Sequence, residues 1–259
     1  MTSGSLIHLV PTFTLVFFRL AAMMLFAPLF GSSRIPRRLK VLMALILSAG
    51  LMGTIDPPAT LPGNVWDLTV GIGGEMIFGL AMGLGLSMVF IAAQWAGEVI
   101  GQQMGFNLSE TFDPQFGSHG SLIGDMYFMF TLVIFLTLRP LGGHHAMLRG
   151  IHESFIALPL LSVGMDASVF DVVLGFFQAC TVLTLRLAAP MLVTMLIVDL
   201  SLGFLSKTIP QLNIMTAGLA VRAAVGMLVL ALGLILTSDV LRDALLESIS
   251  VVGNVYTSQ

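Results

Sequence analysis

The chain has 259 residues, 56 % of them hydrophobic and 10 % charged, with a formal net charge of −3. Soluble domains carry ~25 % charged residues, so this composition, with a mean hydropathy of +0.98, excludes an ordinary soluble enzyme and points to an integral membrane protein. The small net charge gives no footing for nucleic acid, and no hydrophilic run is long enough for an extramembrane domain. The whole chain, 1–259, reads as one membrane domain.

Six apolar segments follow in chain order: Leu6–Phe30, Leu39–Ile55, Leu68–Gln94, Gly120–Leu138, Val172–Val198 and Ile214–Ser238. A span needs ~20 apolar residues, which makes the second and fourth short. No Lys or Arg precedes Leu6, so the first run lacks the basic leader of a secretory signal and is expected to persist as a span. The loop "RIPRRLK" holds Arg34, Arg37, Arg38 and Lys40; by the positive-inside rule it is cytoplasmic, and the N-terminus periplasmic. The third segment contains no proline from Val70 to Met104. As one helix it would reach ~50 Å, beyond a ~30 Å hydrocarbon core, so either it breaks or the chain is not simply laid across a bilayer. Within it Gly79 and Gly83 form a GxxxG pair, and Gly97, Gly101 and Gly105 repeat the spacing, a pattern that admits close helix approach.

Between the third and fourth segments lies "MGFNLSETFDPQFGS", Met104–Ser118. It carries Phe106, Phe112 and Phe116, the acids Glu110 and Asp113, and turn formers at Gly105, Asp113-Pro114 and Gly117. Irregular backbone at membrane depth is tolerated only inside protein or along an aqueous path, and hydrophobic constrictions close pores by excluding water. A re-entrant obstruction and an ordinary interhelical loop both satisfy these residues. His144, His145 and His152 fall in a stretch read as a solvated or interfacial loop, because no Cys is near them and the acids near them are few for a metal site. Cys180, the single cysteine, reads as a small buried hydrophobe. Beyond the sixth segment, Leu241, Leu245, Ile249 and Val252 recur at helical spacing, predicting a separate amphipathic helix over about 239–256.

Seven charged residues lie in or beside apolar segments: Arg19, Glu75, Glu98, Asp125, Arg186, Asp199 and Arg222. Buried ion pairs serving assembly and a proton or ion relay are the two readings, since a charge at a membrane helix centre costs ~2.5–3.5 kcal/mol on insertion scales. No phosphate loop, dinucleotide fingerprint or nucleophile elbow is present. Neither an enzyme nor a cofactor is expected. A secondary transporter of a small solute or ion, using Asp199 and Arg186, is the alternative outside the structural class.

Four stretches, in order, resemble one family: "APLFGSSRIPRRLK" (27–40), "GEVIGQQMGF" with the following Asp113-Pro114, "GGHHAMLRGIHESFIALP" (142–159) and "DLSLGFLSKTIPQLNI" (199–214). Over essentially its full length the chain is similar to the FliR family of type III secretion export-gate subunits, and the third stretch looks flagellar rather than virulence-associated. The resemblance implies an all-α membrane subunit whose helices form hairpins in a right-handed helical assembly. It implies FliP and FliQ as partners, with FlhB beside them, unfolded flagellar proteins as cargo, and the bacterial inner membrane within the flagellar basal body as the location. It also implies that the segment after Met-Gly-Phe, about 106–118, plugs the export pore, placing Met104, Gly105, Phe106, Phe112, Asp113, Pro114, Phe116 and Gly117 at the plug. Two positions depart from the family pattern: Glu110 stands where small or apolar residues are usual, and Ala220 replaces a proline two residues before Arg222.

Overall fold

The computed structural model describes residues 3–28, 30–31, 35–55, 57–58, 64–106, 121–139, 142–161, 167–208 and 214–254. Every regular element among them is a helix: α1 Ser3–Phe26, α2 Arg37–Leu51, α3 Val65–Met104, α4 Leu122–Thr137, α5 Gly143–Ala157, α6 Ala167–Thr208 and α7 Ile214–Asn254. Four of these, α1, α3, α6 and α7, contain stretches long and apolar enough to cross a membrane, and α4 is a shorter apolar helix. The protein is therefore an all-α integral membrane protein.

One open alternative is decided and two of the sequence expectations change. The third segment does not break: α3 runs unbroken for 40 residues, ~60 Å at helical rise. The stretch with His144, His145 and His152 is not a loop but α5, because Met147, Ile151 and Phe155 repeat every four residues and are buried while His145, Arg149 and Glu153 face outward. The expected separate C-terminal helix is the last part of α7, which continues from Ile214 through Asn254 without interruption. No proline or glycine pair separates Ser238 from the amphipathic stretch, so helical backbone simply propagates. The basic run is also less of a loop than its charge implies: Arg37, Arg38 and Lys40 form the first turn of α2 behind Pro36.

The helices pack as two compact units. One comprises 1–88, 139–178 and 245–259. Its core is formed by Leu15, Val16, Leu20 and Met23 of α1, Phe78, Met82 and Leu86 of α3, and Met147, Ile151 and Phe155 of α5. Within it α2 lies against α1 and buries only Ala44 and Ser48. The Ser248 hydroxyl of α7 donates to the Gly85 carbonyl at 3.2 Å. The other unit comprises 89–138 and 179–244. Its core gathers Phe90, Ala93 and Ile100 of α3, Ile123, Tyr127 and Phe135 of α4, Leu187, Met191 and Met195 of α6, and Leu241 of α7. The Phe90 ring meets those of Phe128 and Phe135 at 5.7 and 5.6 Å. The Thr184 hydroxyl donates to the Ala92 carbonyl at 3.3 Å, tying α6 to α3.

Pro190 sits inside α6. Proline has no N–H, so the carbonyl four residues earlier, that of Arg186, loses its helical partner. Membrane helices tolerate such a gap where neighbouring groups or water satisfy the freed carbonyl.

Candidate functional site

The structure reaches the candidate plug from its N-terminal side. Met104 is the last residue of α3, 1 % exposed, and belongs to a helix rather than to a loop. It fills the space above Gly226 of α7: a Cβ there would lie 2.5 Å from Met104 Cγ and 2.9 Å from Met195 Cε. The helix is then ended by geometry that only glycine adopts readily. Gly105 has φ 80°, its N–H donates to the Gln102 carbonyl and the Phe106 N–H to the Gly101 carbonyl, both at 3.1 Å. That pair of bonds is the Schellman stop, which satisfies carbonyls a helix end would otherwise leave bare. Phe106 emerges 37 % exposed. The remaining candidate plug residues, Phe112, Asp113, Pro114, Phe116 and Gly117, together with Glu110, lie outside the described residues.

The charged residues separate into different environments. Arg19 of α1 and Glu75 of α3 are 1 % and 0 % exposed, with Nε 2.5 Å from Oε2. Arg19 also donates to the carbonyls of Ser154 and Leu158 at the end of α5, each at 3.3 Å. Its guanidinium lies 4.8 Å from the Phe78 ring centre and 4.3 Å from that of Phe155, distances at which the ring face attracts a cation. The second Glu75 oxygen accepts the Leu161 N–H at 3.1 Å. Leu161 has φ 68°, a left-handed conformation uncommon for a residue with a side chain, and the buried carboxylate holds it there. The arrangement answers the requirement that a buried charge be both paired and hydrogen-bonded.

The other charges are less enclosed. Arg222 of α7 places Nη2 2.7 Å from Asp199 Oδ1 of α6, with the two side chains 40 % and 39 % exposed. The pair is a close charge contact not aligned as a hydrogen bond: Oδ1 has no hydrogen-bond donor among the described residues. Glu98 is half-buried beside Gly124, whereas Asp125 in the first turn of α4 and Arg186 on α6 are exposed. On α5, Arg149 and Glu153 pair one turn apart on the surface.

Close backbone approach accompanies these contacts. A Cβ on Gly79 would collide with the Arg19 carbonyl of α1, and one on Gly83 would lie 2.5 Å from the Met23 carbonyl. Gly97 brings α3 equally near α4, 2.6 Å from the Ile123 carbonyl to a hypothetical Cβ. Gly101 is buried at the α3 end that Phe106 caps. Gly79 thus lets α1 approach at the same residue, Arg19, that carries the buried charge.

Sequence reasoning named Arg19 and Glu75 but not their pairing across 56 positions, nor the aromatic and carbonyl partners. The carbonyls of Ser154 and Leu158 and the Leu161 N–H are backbone groups and leave no side-chain signal. Phe155 could have been found from the four-residue repeat Met147, Ile151, Phe155, which marks the inner face of α5.

The fold and these sites define a class: a polytopic helical membrane protein whose helices are stitched by a sealed ion pair and glycine contacts, with its third helix closed by a glycine stop. Comparison with known sequences gives the family. The chain belongs to the bacterial export proteins, family 1, whose profile matches residues 10–248. It is 32 % identical over 233 residues to the flagellar biosynthetic protein FliR of Bacillus subtilis (strain 168), covering 88 % of this chain and 87 % of that one. It is 30 % identical over 223 residues to the protein of that name from Aquifex aeolicus (strain VF5), covering 86 % and 85 %. The surface presentation of antigens protein SpaR of Shigella flexneri is 27 % identical over 217 residues, covering 83 % and 82 %.

Proposed function

We propose that this chain is the R-type subunit of a flagellar type III protein export gate, where it helps to form and to close the pore through which unfolded flagellar proteins leave the cell. The observation that carries the reading is collinear similarity to flagellar biosynthetic proteins across nearly the whole chain, 88 % of it in the B. subtilis comparison. Two structural facts support it. An unbroken α3 of 40 residues exceeds what a ~30 Å bilayer core needs, as expected of a helix built into a protein assembly. A large share of α6 and α7 is apolar yet unburied: 22 % and 6 % of their most apolar windows are covered by this chain, leaving much surface for neighbours or lipid.

In this reading the partners are FliP and FliQ, with FlhB alongside, in the inner membrane at the flagellar basal body. The helices pair as hairpins in a right-handed helical assembly, and the segment following Phe106 is the plug. Phe106, Phe112 and Phe116 fill the lumen and exclude water. Gly105, Gly117 and the Asp113-Pro114 turn let the segment double back. Glu110 stays solvated or meets a basic neighbour, since burying it unpaired would be costly.

Co-expression tests the assignment. With P- and Q-type subunits the chain should purify as one complex; expressed alone it should aggregate or be degraded. A well-folded, monodisperse chain on its own, with no tendency to enter such a complex, would overturn the reading.

A further inference from the structure

We propose that the start of α2 holds an anionic phospholipid, with its phosphate at Arg37 and Arg38 and its acyl chains along the apolar outer face that follows. Such a site requires only that the chain lie in a membrane, whatever it exports. Positive charge is concentrated here. Residues 1–55 contain Arg19, Arg34, Arg37, Arg38 and Lys40 and no Asp or Glu, although the whole chain has a net charge of −3. Arg19 is sealed against Glu75, and Arg34 lies outside the described residues. Arg37 and Arg38 are exposed and Lys40 is half-buried. None of these three has an ion-pair partner among the described residues.

Apolar surface begins in the same turn. The helix lies against α1 and buries only Ala44 and Ser48, a narrow inner row. Around the rest of it Leu39, Val41, Leu42, Leu45 and Ile46 are exposed, Leu42 and Ile46 at 52 % and 62 %. Leu39 to Ile46 is ~11 Å of helix, comparable with the ~15 Å that one leaflet contributes to a ~30 Å hydrocarbon core. The occupant of this surface must be anionic at one end and apolar over the next two turns. A phospholipid has that order within one molecule. The planar guanidinium fork matches a pair of phosphate oxygens, and basic clusters at the ends of membrane helices attract anionic headgroups. A zwitterionic headgroup fits less well, because its own ammonium repels the arginines. Free phosphate or an acidic polypeptide segment would satisfy the arginines and leave Leu42 and Ile46 uncovered.

The test is native mass spectrometry of the full chain, with whatever subunits purify with it, released from nanodiscs that hold equal amounts of phosphatidylcholine and phosphatidylglycerol of different mass. Phosphatidylglycerol should be retained in preference to phosphatidylcholine. Arg37→Gln combined with Arg38→Gln should weaken its retention about tenfold, as expected for two charges at a membrane surface. Arg37→Lys combined with Arg38→Lys should keep most of it, because the charge stays. Arg149→Gln, which removes an exposed guanidinium elsewhere in the same unit, should leave it unchanged. Where the double Gln variant inserts poorly, the preference of the unaltered chain between the two lipids decides by itself. Equal retention of the two lipids would overturn the proposal, as would undiminished retention in a well-inserted double Gln variant or an equal loss in Arg149→Gln. So would glycerol 3-phosphate binding as tightly as the lipid, which marks a phosphate site with no use for the apolar face. An assembled complex that excludes the lipid and crosslinks position 38 to a neighbouring polypeptide would overturn it too.

Discussion

Two ion pairs sit on apolar helices of this protein, and they are built oppositely. Arg19–Glu75 is sealed, with side chains 1 % and 0 % exposed, two carbonyl acceptors and a backbone donor completing the set, and two aromatic rings against the guanidinium. Asp199–Arg222 is about 40 % exposed on both sides, and its one charge contact, Nη2 to the buried Oδ1, is not aligned as a hydrogen bond. The first pair finds its polar partners within its own chain, which predicts an effect on folding. The second stays partly open to its surroundings. Charge in a membrane helix therefore does not by itself assign a role; the number of polar partners within the same chain separates a sealed pair from an open one.

The largest effect should come from breaking the sealed pair on one side. Arg19→Met strands the Glu75 carboxylate in the core, and removing one member of a buried pair costs ~3–5 kcal/mol. Recovery of intact chain should collapse, measured as detergent-extracted protein that resists mild proteolysis. Removing both charges, Arg19→Met with Glu75→Gln, should restore part of that loss, because no charge is then left unpaired. If the double variant is no better than the single one, the pair is not the source of the stability.

Next in size is the backbone approach beside it. Gly79→Leu has no room, since its Cβ would meet the Arg19 carbonyl, and overpacking of this kind costs ~1–3 kcal/mol. Gly73→Leu, in the same helix with nothing within 4 Å of the added Cβ, should change the thermal midpoint of the purified protein little. Equal effects at the two glycines would mean that close approach is not what Gly79 provides.

The smallest effect on the chain itself should come from the half-open pair. Arg222→Gln should shift its stability by no more than ~1 kcal/mol, the range for solvent-accessible ion pairs, while lowering the quantity of P- and Q-type subunits recovered with it. A large loss of intact chain with unchanged partner recovery would place this pair in the folding class with Arg19–Glu75.

Much of this could be read from the sequence, and the misses have a common cause. Apolar runs found α1, α3, α6 and α7, and at Gly79, Gly83 and Gly97 an added Cβ would meet the backbone of a neighbouring helix. Element ends were harder. Nothing marks a stop after Ser238, so the amphipathic tail merged into α7, and α5 was obscured because His144, His145 and His152 drew the reading to a loop while the inward repeat of Met147, Ile151 and Phe155 is only three residues long. Charges could be picked out singly, but their pairing depends on which helices meet. Arg19 finds Glu75 only because α1 and α3 pack at Gly79, and its carbonyl partners are invisible to any reading of side chains.

The most direct test of the gate reading is electrical. The complex of this chain with its P- and Q-type partners would be purified with and without residues Phe106–Gln115 and placed in planar bilayers. The intact complex should be silent, and the deletion should open discrete conductance steps while the subunit composition stays the same. An assembled deletion complex that remains electrically tight would contradict the claim that this segment closes the pore.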